Sequence, residues 1–465
     1  MFIPKSNFSL KPCQLKGHLW YDAIMWNRKV LVTIFIIFVL LQPLWSISNL
    51  REGPLWDPFS STELLKERNF FRELSQEEEE ALKALEIDLV TVGRGDPLYV
   101  WFGHTGLVVR DKRVDRSVMY DYGIFSFDDG FYKTFAMGRL NYQVWATSAL
   151  ARLNQAVSSE RSVTKLKLNL DDSATIETIN FLNFNVKEEN NTYLYHHYRE
   201  NCSTKIRDII DKAVGGQFKG WATSIESPYT LRQLVMLHSA PSPLIDWLLN
   251  FLQSGEIDGP ITLWEAMFLP AVLEKALLNF EYLNSAGEMV KIASDYEVLN
   301  EEPLGVRPTT RSEWKSTTLP TFLVALAVAL LLRGLLCLSR RSKVAKVAWG
   351  SLTFLIYLVL GILSLLLLFM VSISNHDVTY WNENLIFATP WLVVMAIQAL
   401  IYLFSKTSSL KHFKRGNTFF ALLMVVYIVL KMGFPTLLGQ QNWPAILTFL
   451  PLFVANSSLI SKRRS

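Results

Sequence analysis

The chain has 465 residues, of which 50% are hydrophobic and 19% charged, enough for a water-exposed domain and a sizeable membrane part. Its formal charge of +4 hides a division: residues 51–315 hold 28 Lys and Arg against 39 Asp and Glu, and the rest of the chain holds 18 against 3. An acidic middle argues against nucleic acid as a partner, and three cysteines do not make a disulfide framework.

Residues 1–29 form a polar, basic tail ending in Arg28 and Lys29, ahead of the uncharged run VLVTIFIIFVLLQPLWSI at 30–47. That run is long enough to span a bilayer. Gln42, Pro43, Leu44 and Trp45 offer no small-residue cleavage pattern, so it is expected to be an uncleaved anchor. Five more apolar runs lie near 319–338, 347–373, 385–404, 417–433 and 445–460, for six expected transmembrane helices. Basic residues cluster after the second span (Arg340, Arg341, Lys343, Lys346), the fourth (Lys406, Lys411, Lys414, Arg415) and the sixth (Lys462, Arg463, Arg464). The positive-inside rule then puts both termini in the cytoplasm and residues 48–318 outside. Arg333, inside the second span, is expected to snorkel.

The outward domain is expected to open with helix, from the capping box Ser75-Gln76-Glu77-Glu78. Strand-like runs follow: LYVWF, TGLVVR, SVMYDY, NYQVWAT and TKLKLNL, separated by Gly, Asp and Asn. A helix is expected over 174–187, further helix with Pro breaks over 241–283, and a polar tether over 285–318. The pattern is one α+β domain of about 270 residues.

The centre of this domain is Tyr198–Asp211. Ile206, Ile209, Ile210 and Ala213 recur at helical spacing, and Asn201, Ser203 and Thr204 are helix-capping types. Cys202 therefore opens an amphipathic helix, where unpaired backbone N–H groups favour negative charge and a thiol becomes a nucleophile. The competing reading is a buried structural cysteine. A cysteine enzyme also needs a base and a group to orient it. His104, starting an alternating strand after Gly103, is the candidate base. Asp121 is the preferred orienter, with Tyr120 and Tyr122 as alternatives. His196 and His197 point to opposite faces if extended, so at most one can approach Cys202, and His238 reads as structural. Asn201 and Thr204 are expected to support the site, Asn201 as a possible oxyanion donor beside the Cys202 backbone N–H. Arg207, about one turn beyond Cys202, is a candidate for a phosphate headgroup. In the loop Ser374–Asn384, His376, Trp381, Asn382 and Asn384 are candidate substrate-binding residues, and Tyr380 and Trp381 are alternatively interface anchors. No metal-ligand spacing and no phosphate loop is present.

The order His then Cys, with GHTGLVV on a strand and NCST opening a helix, resembles the circularly permuted, papain-like NlpC/P60 superfamily. Through FGHTGLVV, YDYGIFSF, NCSTKIRDIID, ITLWEAMFLP and the membrane part with NHDVTYWNENL, most of the chain resembles the Lnb-type bacterial lipoprotein N-acyltransferases. The resemblance implies a permuted papain-like domain joined to an inner-membrane helical bundle. It implies an acyl-enzyme on Cys202 with His104 as base, and transfer of a fatty acyl chain from a phospholipid to the N-terminal amine of a lipoprotein's diacylglyceryl-cysteine. Ester to thioester to amide ends downhill, so no cofactor is expected. One position departs from the family: Asp377 follows His376 where the family tends to have Pro. The alternatives are a cysteine hydrolase, acting on peptidoglycan or phospholipid, and a non-enzymatic binding module on a membrane platform.

Overall fold

A computed structural model describes residues 84–125, 130–303, 316–404 and 408–460. The chain divides into two units, Met1–Leu55 and Trp56–Ser465. The first unit, with the expected tail and anchor, lies outside the described residues, as does the Ser75 capping box.

Nine strands are described: β1 Leu85–Val92, β2 His104–Asp111, β3 Arg116–Ile124, β4 Asn141–Ser148, β5 Val163–Leu168, β6 Thr192–Leu194, β7 Glu281–Leu283, β8 Met289–Lys291 and β9 Ala293–Asn300. Seven make one sheet in the order β6-β4-β3-β2-β1-β5-β9, every neighbouring pair antiparallel, and β7 pairs with β8. The period-2 pattern gives the sheet two buried faces. Ile87, Leu89, Leu107, Val109, Tyr120 and Tyr122 pack on one side with Ile206, Ile209 and Ile210 of the helix Cys202–Ala213. Val90, Val92, Val108 and Met119 face the other way, under Ala149 and Ala156 of the helix Ala149–Ser158. Each such fully buried aliphatic side chain is worth about 1.5–3 kcal/mol.

Two expectations are corrected. LYVWF is no strand: Leu98–Val100 is a 3-10 turn after Pro97, and Leu98 and Tyr99 are exposed. The interior strand beside β2 is instead β1, whose Ile87/Leu89 and Val90/Val92 serve the two faces. The stretch expected as a tether contains β8 and β9, and β9 pairs along β5 at the edge of the sheet. The helix expected over 174–187 forms at Asp172–Asn185, and the proline-broken region yields Pro243–Leu252, Gly255–Asp258, Leu263–Ala266 and Pro270–Asn279.

In the C-terminal part, three helices are long and apolar enough to cross a membrane: Thr318–Leu338, Lys343–Ser372 and one ending at Gly433. The other two runs form the 14-residue helices Trp391–Phe404 and Trp443–Asn456, shorter than the roughly 20 residues a span requires. The 385–404 run starts helix late because Glu383–Ile386 is a 3-10 turn and Pro390 precedes Trp391. Arg333 Nη2 donates to the Ile460 carbonyl at 2.8 Å, beyond the end of the last helix. The helix Pro243–Leu252 joins the membrane core, stacking Phe251 on Phe449 and donating Trp247 Nε1 to Thr448 Oγ1 at 3.0 Å.

Candidate active site

Strand parity assembles the site. In the β2–β3 register Val108 opposes Met119, so His104, four residues before Val108, and Asp121, two after Met119, project from one face. That face is the one under the helix Ala149–Ser158. Tyr120 and Tyr122 project from the opposite face, where their hydroxyls donate to Asn183 and Asn185, and so they are not orienters of His104. Asp121 is fully buried; its Oδ1 lies 2.5 Å from His104 Nε2, and its Oδ2 accepts from Arg152 Nε at 2.6 Å.

His104 is also hydrogen-bonded to Cys202. Burial alone pushes the imidazole pKa down. The negative charges of Asp121 and Cys202, with their hydrogen bonds, outweigh burial and raise it to about 10. Asp121 shows the mirror effect: burial favours its neutral form, but His104 and Arg152 hold it below the usual carboxylate range. The site thus sets His104 between Cys202 and Asp121, with Arg152 on the far side of the carboxylate.

Asn201 is the N-cap of the cysteine helix. Its Oδ1 accepts from Thr204 N at 2.9 Å, while Thr204 Oγ1 accepts from Asn201 N at 2.8 Å. Its Nδ2 donates to the carbonyls of His197 and Phe268, both at 2.8 Å. With both amide hydrogens engaged, Asn201 is a positioning group, and its side chain has no hydrogen left for an oxyanion. Ser203 Oγ donates to Met267 O at 2.6 Å. Arg207, expected at a phosphate, is buried: Nη1 donates to Trp264 O at 2.8 Å, Nε to Asp208 at 2.8 Å, and the guanidinium lies 3.9 Å from the Trp264 ring centroid. The two motifs NCSTKIR and WEAMF are therefore partners that fix the start of the cysteine helix.

The other histidines lie elsewhere. His196 Nε2 reaches Asp377 Oδ1 at 2.9 Å, and the same carboxylate accepts from Arg199, so the residue that departs from the family pattern ties the loop to the segment before Cys202. His197 is packed against Phe102 and Phe268, and burial pushes its pKa down to about 3. His238 Nδ1 bonds Leu234 O. His376 Nε2 donates to Phe135 O at 2.8 Å. Asn382 and Asn384 are buried, and their amides donate to the Phe251 carbonyl at 3.2 and 2.8 Å, at the end of the helix Pro243–Leu252. They dock domain to bundle; Trp381 is 53% exposed.

Two residues escaped the sequence reading. Arg152 lies on a helix with no nearby motif. Tyr193, in β6, has a buried hydroxyl without a hydrogen-bond partner among the described residues. A methyl placed on Gly123, whose φ is +92°, would lie 3.7 Å from Cys202 Cβ and 4.0 Å from Tyr193 Oη, so the Cys202 Cβ and the Tyr193 hydroxyl flank one point.

Fold and site define a membrane-associated α+β protein bearing a cysteine, histidine and aspartate in one hydrogen-bonded line. Residues 75–236 match the family model described as the Lnb N-terminal periplasmic domain. No curated protein and no solved structure matches the chain.

Proposed function

We infer that this protein is a lipoprotein N-acyltransferase of the cytoplasmic membrane that works through a thioester on Cys202, with its catalytic domain in the periplasm. The observation that carries the reading is the Cys202–His104–Asp121 line within an Lnb domain built onto membrane-crossing helices. A papain-like ancestry, six spans and cytoplasmic termini belong to the same reading.

The Cys202 sulfur, its proton held by His104, attacks the ester carbonyl of a phospholipid. The tetrahedral oxyanion is held by the Cys202 backbone N–H at the helix start and by the Tyr193 hydroxyl. Collapse breaks the C–O bond, His104 returns the proton to the departing lysophospholipid oxygen, and a thioester remains. The neutral α-amine of a diacylglyceryl-cysteine then attacks, passes a proton to His104, and releases the sulfur as the amide forms. Both substrates lie in the bilayer, and an enzyme held at that surface meets them at high effective concentration.

The test is reconstituted turnover with defined phospholipids and a diacylated lipopeptide, wild type against Cys202→Ser. N-acylation dependent on Cys202 supports the reading. Fatty acid release to water, with no lipopeptide product, replaces it with a phospholipase.

A further inference from the structure

A run of aromatic rings leads from the strands beside Cys202 to the end of the longest apolar helix among the described residues. Tyr195 stacks on Tyr142 with centroids 4.2 Å apart, Tyr142 on Phe125 at 5.0 Å, Phe125 on Phe131 at 5.7 Å, Phe131 on Phe135 at 5.9 Å, and Phe135 meets His376 edge-on at 6.0 Å. Gly123, against Cys202 Cβ, is two residues before Phe125 in the chain. Tyr142 and Tyr195 both sense Cys202: after burial, its charge is the next largest influence raising their pKa values, that of Tyr142 to about 12.

The other end is anchored where the helix Lys343–Ser372 stops. Asn375 N donates to Met137 O at 2.9 Å, and His376 bonds Phe135 O. Gly138, at φ +67°, comes so close that a Cβ there would lie 2.8 Å from the Asn375 carbonyl carbon. The short helix Phe131–Ala136 therefore sits beside the end of a helix long and apolar enough to cross a membrane. It presents Tyr132 at 75% and Phe135 at 51% exposure, with Tyr99, at 61%, edge-on to Phe125. Rings serving only as core would be covered, as Tyr122 is at 1%. Here they form a half-open apolar strip that ends against His376, just beyond the helix Lys343–Ser372.

We propose that this aromatic strip is the track of the donor's fatty acyl chain, which leaves the outer leaflet over Phe135 and Phe131 and lies along Phe125 and Tyr142 so that its carbonyl carbon reaches Cys202. The proposal rests on the acyl-transfer reading and adds to it a chain-length dependence seated in this chain's own residues.

The experiment uses the full-length protein in detergent with phosphatidylethanolamines carrying eight- or sixteen-carbon acyl chains, and follows acyl adduct formation on Cys202 by intact mass. Apolar contact grows with chain length, so the ratio of long-chain to short-chain rates is expected to fall about tenfold in Phe131→Ala and in Phe125→Ala. A general loss of folding lowers both rates and leaves the ratio in place. An unchanged ratio in both variants overturns the track. A second measurement needs no turnover: a phosphatidylethanolamine with a diazirine along its acyl chain is photolysed with Cys202→Ala protein. Labelling within residues 125–142 supports the track, and labelling confined to residues beyond 316 overturns it. Absence of any wild-type adduct, by contrast, counts against acyl transfer itself, and the photolabel still decides occupancy.

Discussion

Asp121 Oδ1 lies 2.5 Å from His104 Nε2 while the other oxygen of the same buried carboxylate is held by Arg152. Asp121 is thereby fixed from two sides and fixes the imidazole in turn. Asp121→Asn is expected to lower the rate of Cys202 acylation by about 10²–10⁴-fold, because an amide can donate to Nε2 and favour the wrong tautomer. Arg152→Gln, one bond further from the reacting atoms, is expected to lose about tenfold, with part of the loss recovered in Arg152→Lys. Single-turnover acylation rates check both; an Asp121→Asn enzyme of wild-type rate contradicts the assignment.

His104 makes stability depend on pH in a stated direction. Its pKa in the fold is about 10, above its ordinary 6.5, because the Asp121 and Cys202 charges overcome burial. A raised pKa means that the fold favours the protonated form. The stabilisation is fully present below 6.5 and shrinks as the pH rises through the window up to about 10. The melting-temperature difference between wild type and His104→Gln should fall across that window, and a difference that grows with pH contradicts it. In Cys202→Ser, lacking one of the two charges, the window should close at lower pH.

Tyr193 carries a buried hydroxyl with no hydrogen-bond partner among the described residues, beside the same glycine that flanks Cys202. If that hydroxyl is reserved for a transient oxyanion, Tyr193→Phe should lower the acylation rate by about 10²–10³-fold with little effect on folding. A purely structural hydroxyl predicts the reverse: a change in melting temperature and a preserved rate.

At the junction of domain and bundle, Lys431 Nζ donates to Glu383 Oε2 at 2.7 Å, and Tyr427 donates to the same oxygen. The ion-pair partners are only 6% and 11% exposed. Removing one partner strands a buried charge, so Glu383→Gln should cost about 3–5 kcal/mol, and the double change Glu383→Gln/Lys431→Met should recover part of it. Denaturant unfolding in detergent micelles measures both; additive losses contradict a coupled pair.

Much of the candidate site was legible because it depends on local periodicity. Helical spacing of Ile206, Ile209 and Ile210 behind the cap Asn201 places Cys202 at a helix start. Alternation in GHTGLVV and SVMYDY puts His104 and Asp121 on strands, and only their register decides between Asp121 and its tyrosine neighbours. Arg152 was not legible because its partner Asp121 lies 31 residues away, and Tyr193 was not because its place beside Gly123 depends on the pairing of β6 with β4. Arg207, Asn382 and Asn384 show the opposite limit: polar residues near a nucleophile or at a span end look like binding groups until their carbonyl partners are known. The strand β1 was overlooked beside the more aromatic LYVWF, whose Pro97 directs it into a turn. In the bundle, hydropathy located five apolar segments, but turns and prolines shorten two of the resulting helices.

The central claim is that a fatty acyl chain passes through the Cys202 sulfur. The most direct measurement is the intact mass of the protein after incubation with a phospholipid, before and after addition of a diacylated lipopeptide. The account predicts an acyl-sized gain that requires Cys202, is removed by hydroxylamine, and disappears as the lipopeptide amine becomes acylated. N-acylation of the lipopeptide by the Cys202→Ala protein, with no adduct at any time, would contradict it.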